Sequence, residues 1–74
     1  MRLDTCPVDE DFQVLAISVA AEPRLRMREV GLRVGSTVRV TQRAPFGGRV
    51  VAVGASRIAL DGATAARIQV GLPQ

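Results

Sequence analysis

Histidine, lysine, tryptophan and tyrosine are absent from these 74 residues, and cysteine occurs once, as Cys6. Each absence excludes a class of chemistry. Without imidazole, and with one thiol, the ligand sets of structural zinc and of His-based transition-metal sites are missing. A lone cysteine forms no intramolecular disulfide. No nucleophile has a base to activate it, since His is gone and the carboxylates are scattered among arginines on turns; the chain reads as a non-enzyme without cofactor or metal. Phe12 and Phe46 are the only aromatic residues, too few for base stacking, so no nucleic-acid partner is expected. No apolar run approaches the roughly 20 residues that cross a bilayer. The N-terminus also lacks a basic-then-apolar leader pattern. A soluble cytoplasmic protein with no direct membrane insertion is the expectation.

What remains is aliphatic. Hydrophobic residues make up 47% of the chain, drawn from Val, Ala, Leu and Ile, and all ten basic residues are Arg, for a net charge of +3. That charge is ordinary for the solubility of a small domain. Residues 1–74 are read as a single domain, because a chain of this length has no room for a second core.

The organising stretch runs from Arg24 to Pro45. Pro23 sits where a helix can begin, since its missing N–H would be unsatisfied there and its φ is already set. Gly31 stands where a left-handed residue closes a helix, and Leu32 can fold back onto the helix end. A helix over about 23–30 is predicted. At 100° per residue, Met27 and Val30 lie about 60° apart and form its inner stripe, Arg26 can pair with Glu29, and Leu25 points away from the stripe. Leu25 either packs on the N-terminal segment or is offered to something outside. Gly35 and Ser36 mark a turn, after which Val38 and Val40 alternate with Thr37, Arg39 and Thr41 as a half-buried strand.

The flanking segments read as further short strands. Phe12 to Ala20 is predicted as a strand with Leu15, Ile17 and Val19 on one face and Val14, Ala16 and Ser18 on the other. The preceding run Asp9, Glu10, Asp11 reads as a solvated turn, and Cys6 as a small buried or half-buried hydrophobe. Ala44 to Gly48 is a loop by composition, with Phe46 either folded under or presented. No Gly-Lys-Ser/Thr follows its glycines, which removes a phosphate-loop reading. Val50–Val53 and Arg57–Leu60 are strands, the latter with Ile58 and Leu60 inward. One helical turn falls at about 63–66, and Ile68, Val70 and Leu72 alternate in a closing strand. The fold expected is mainly β: a small, strongly bent barrel of about five short strands with one α-helix and one helical turn.

The residues at the joints resemble the FeoA family of small cytoplasmic SH3-like barrel proteins associated with the bacterial ferrous-iron transporter FeoB. Arg26, Met27, Val30, Gly31, Leu32 and Gly35 match the family's helix end and turn. Pro45 and Gly47, Ile58-Ala59-Leu60, Ala65-Ala66, Ile68 and Val70 match its later strands and loops. Met27 and Val30 replace the family's usual Leu and Leu/Met at conserved apolar volume. The resemblance implies an accessory protein of ferrous iron uptake that binds and modulates a FeoB-like GTP-driven membrane transporter through its cytoplasmic part. The same barrel occurs at the C-terminus of iron-dependent repressors resembling DtxR, which suggests the alternative of a self-associating or regulatory module without its own DNA-binding domain. A homo-oligomer is compatible with either. The interface expected is Arg24, Leu25 and Arg28 on the helix with Pro45 and Phe46 on the loop, an apolar anchor rimmed by arginine.

Overall fold

The computed structural model describes residues 1–73. In chain order the elements are β1 (Asp11–Ile17), α1 (Ala21–Glu29), β2 (Thr37–Arg43), a 3₁₀ turn (Pro45–Gly47), β3 (Arg49–Val53), β4 (Ser56–Leu60), α2 (Gly62–Ala65) and β5 (Ile68–Gly71). All pairings are antiparallel, in the order β4-β3-β2-β1-β5. Two register breaks, between Val14 and Ala16 in β1 and between Val40 and Gln42 in β2, bend the sheet around its core. The expected five strands and two helices are present.

The core is aliphatic, as the composition requires: Leu3, Val14, Met27, Leu32, Val38, Val40, Val51, Ile68 and Val70 are all but inaccessible, with Phe12 among them. Val38 and Val40 point inward from β2 as their alternation predicts. The first strand departs from its predicted phase. Val14 and Ile17 are both buried while Leu15 and Ala16 are exposed, because the bulge at Leu15 resets the alternation. Leu15 instead lies across Gly71, where an added Cβ would come within 2.9 Å of its Cδ1. Leu72 falls beyond β5 and is exposed, so the closing strand ends before it.

The helix begins two residues earlier than Pro23 indicates. Ala20 is its N-cap without a side-chain bond, and Pro23 is the third helical residue, still in the first turn where the N–H has no intrahelical acceptor. Its end is as read. Val30 is the C-cap, Gly31 takes φ +89°, Gly31 N–H donates to Arg28 O (3.0 Å) and Leu32 N–H to Met27 O (2.8 Å). These two bonds and the buried Met27–Leu32 pair form a Schellman closure. Ser36 then ties the turn, its Oγ accepting from Arg33 N–H (3.0 Å) and donating to Gly31 O (2.6 Å). The expected Arg26–Glu29 pair does not form; the ion pairs among the described residues are Arg2–Asp4 and Arg39–Asp11. Asp11 is thus the first residue of β1, not part of the solvated turn. Asp9 alone takes a turn conformation, at φ +62°.

The N-terminal segment runs along β5, with Leu3 N–H on Ile68 O (2.8 Å) and Val70 N–H on Met1 O (2.7 Å). It buries Leu3 and Cys6. The Cys6 thiol donates to Leu3 O at 3.3 Å, and burial raises its pKa above the ordinary value. A buried, protonated thiol is a poor nucleophile. Alkylation of Cys6 by iodoacetamide at pH 8 is therefore expected to be slower in the native chain than in denaturant by roughly two orders of magnitude. Equal rates would mean that this segment does not hold its place on β5.

Candidate protein-docking face

On α1, Met27 faces the core and Leu25, two residues earlier, falls about 200° round the helix. The structure leaves Leu25 59% exposed, which removes the packing of Leu25 on the N-terminal segment as an explanation. Arg24 and Arg28 flank it, both exposed. They are not equivalent. The Arg24 guanidinium donates from Nη2 to Ile17 O and straps the start of α1 to the end of β1, whereas Arg28 has no ion-pair partner among the described residues. Arg26 is also exposed and makes no ion pair among the described residues. Sequence reasoning had assigned it to Glu29 and so missed it as a free cation on this face.

The second half of the expected interface is the 3₁₀ turn. Pro45 and Phe46 are exposed, and Phe46 is fully so. Its backbone sits at φ 60°, ψ 32°, the left-handed region that a bulky residue rarely adopts. The turn is braced by Ala44 N–H to Gly48 O (2.9 Å) and Gly48 N–H to Pro45 O (3.2 Å). It packs on the start of α2 so closely that a Cβ on Gly62 would lie 2.8 Å from Phe46 O. Asp61 caps α2 by accepting from Thr64 N–H at 2.7 Å. Bonding from Thr64, through its side chain first and then its backbone, lowers the Asp61 pKa. An exposed phenylalanine held in an unfavourable backbone conformation by its surroundings is the pattern of strain kept for recognition.

A groove separates the inner side of α1 from the end of β4 on which the turn also rests. Pro23, Arg26 and Met27 of α1 face Ile58, Leu60 and Thr64 across a groove of about 300 Å³. The 3₁₀ turn meets the same end of β4, where the Gly48 backbone lies close to Leu60 O. The groove opens on the Met27 side of α1, whereas Leu25 and Arg28 lie on the far side of the helix, so it does not reach them.

A broader, shallower hollow of about 750 Å³ lies on the outer face of the sheet. Strand register sets Asp11, Arg39, Ala52 and Arg57 in one row across four strands. Arg39 Nε donates to Asp11 Oδ1 at 2.9 Å, and that bond raises the Arg39 pKa. With Asp9 and Asp11 beside Arg39, the row carries both signs and offers no concentrated field to a polyanion. No group of three or more potential metal-ligating side chains comes together among the described residues. No helix among them is long and apolar enough to cross a membrane.

The chain matches a known family and several solved structures. The family model described as the FeoA domain matches residues 1–72. Among solved structures, the chain is similar to an iron uptake regulatory protein (FeoA) at 26% identity and TM-score 0.80, covering 95% of this chain and 93% of that one. It is 32% identical, at TM-score 0.76, to Stenotrophomonas maltophilia FeoA complexed with zinc, over 96% of this chain and 89% of that one. That protein is described as a prokaryotic SH3 domain protein and a candidate activating factor for bacterial ferrous iron transport. The chain also resembles a manganese-dependent transcriptional repressor at 25% identity and TM-score 0.78, covering all of this chain but 41% of that one. No curated protein matches.

Proposed function

The chain belongs to the FeoA domain family, and from that premise we propose that it is a cytoplasmic accessory protein of ferrous iron uptake, acting as one unit, which docks on a FeoB-like GTP-driven transporter and modulates it. The observation that carries the docking reading is Phe46. A large aromatic ring stands wholly in solvent on a strained backbone, and the outer face of α1 offers Leu25 with Arg24 and Arg28 exposed near it. Aromatic and arginine anchors of this kind dominate binding energy at protein interfaces. The family's link to ferrous iron transport supports the transporter as the partner. Modulation then requires different affinities for two states of that transporter, since equal affinity shifts nothing.

The reading is tested by titrating the purified cytoplasmic part of the transporter with this chain and with Phe46→Asn. Asparagine tolerates the left-handed region, so the variant should melt at the same temperature or a few degrees higher. Loss of the ring should weaken binding by roughly tenfold or more. Unchanged affinity would remove Phe46 from the interface. The alternative, a self-associating module akin to the C-terminal domains of metal-dependent repressors, is favoured by the likeness to the manganese-dependent repressor. It would show as sedimentation that depends on concentration without any partner.

A further inference from the structure

Of the two outer strands of the sheet, one is closed and the other is not. Along β5, Met1 to Leu3 takes up the edge, and the terminal ammonium adds a bond to Val70 O at 2.9 Å. β4 pairs with β3 over all five residues without a register break. No backbone group from Ser56 to Leu60 makes a backbone hydrogen bond outside that ladder among the described residues. Natural outer strands are usually blunted by proline, a bulge or an inward-pointing charge. The run Ser56-Arg57-Ile58-Ala59-Leu60 has none of these, and its one charged residue, Arg57, stands on the solvent face. Such an edge leaves a row of N–H and C=O groups that a further strand would satisfy.

Beside the edge runs α1, separated from it by the groove between Met27 and Ile58. A regular open strand with a helix alongside is the arrangement in which an extended peptide is taken up as an additional strand. We propose that the β4 edge is a strand-addition site for an extended acidic segment of a partner protein, apolar at alternate positions. The alternation follows from the two faces of β4. Side chains of the incoming strand on the Ile58 and Leu60 face turn under α1 toward Met27, where apolar groups fit. Those on the opposite face lie across from Arg57, which has no ion pair among the described residues, where carboxylates fit. Arg26 at the mouth of the groove adds a second cation. A second copy of this chain suits the edge less well, because it would bring another α1 and repeat the same arginines against them. The proposal reaches beyond the transporter reading and holds whichever protein supplies the segment.

The probe is a blocked peptide of about nine residues alternating valine with glutamate, long enough to span β4. It is titrated into the isotopically labelled full chain and followed by amide NMR. Shift changes and slowed amide exchange are expected in Ser56–Leu60 and along α1. Arg57→Glu should weaken binding about fivefold and should favour the same peptide with lysine for glutamate. N-methylation of alternate peptide residues should abolish binding in one phase and spare it in the other, since a strand presents its groups alternately to its two sides. The proposal is overturned by no shifts at the highest soluble peptide concentration, by shifts confined to other strands, or by indifference to N-methylation. Concentration-dependent shifts of the β4 amides without peptide would also overturn it, giving the edge to a second copy.

Discussion

Leu25→Asp is expected to weaken binding to the transporter's cytoplasmic part by roughly 30-fold or more while leaving the chain folded. The size follows from what an interface does to an exposed leucine. An apolar anchor buried at the centre of a contact costs about 2 kcal/mol or more when truncated. An aspartate in its place would also be desolvated without a partner unless one of the neighbouring arginines turned to it. The cost to folding is small, because Leu25 lies opposite Met27 on α1 and is more than half exposed. Surface changes of this kind stay within about 0.5 kcal/mol, and the lower helix propensity of aspartate adds a few tenths. Thermal melting and the binding titration, run on one preparation, separate the two effects. A variant that is folded and binds as before would remove α1 from the interface. One that is unfolded would place Leu25 in the core, against the structure.

The largest effect on stability is expected from Leu32→Ala, at about 3 kcal/mol. Leu32 has no accessible surface and is the residue that folds back from the Schellman closure onto Met27. Its truncation therefore removes core volume and loosens the joint between α1 and the turn that leads into β2. A chain of this size has a total stability on the order of 4–11 kcal/mol, so the loss is a large share of it. A fall in melting temperature of roughly 15 °C is expected, followed by circular dichroism. Leu72→Ala, the same chemical change at an exposed position beyond β5, should shift the melting temperature by no more than a few degrees. Equal shifts for the two would contradict the assignment of Leu32 to the core.

Much of this architecture was legible because local rules and tertiary packing agree in it. Gly31 before Leu32 announced the helix end, and Val38 and Val40 announced the inner face of β2, since each signal depends only on neighbouring residues. The phase of the first strand differs from its reading because a bulge has no signature in the stretch Val14 to Ile17, where every residue is apolar; Leu15 and Ile17 look alike in sequence, and only the pairing with β5 distinguishes them. The helix start was placed too late because Pro23 is equally tolerated throughout the first turn, and Ala20 offers no capping side chain to mark it. Of the docking face, Leu25 and Phe46 could be singled out as apolar residues out of pattern. Arg26 could not, because a carboxylate three residues on looked like its partner. The open edge of β4 was invisible for a different reason: which strand ends a sheet is set by the pairing of all five strands, and nothing local to β4 records it.

The measurement that tests the central claim most directly is co-purification. The tagged chain and its Leu25→Asp variant are each recovered from solubilised membranes of the source organism, and what accompanies them is identified. The account predicts a FeoB-like transporter with the parent chain and its loss with the variant. Recovery of the parent chain with further copies of itself and no transporter would contradict the account, and so would equal recovery of the transporter by both chains.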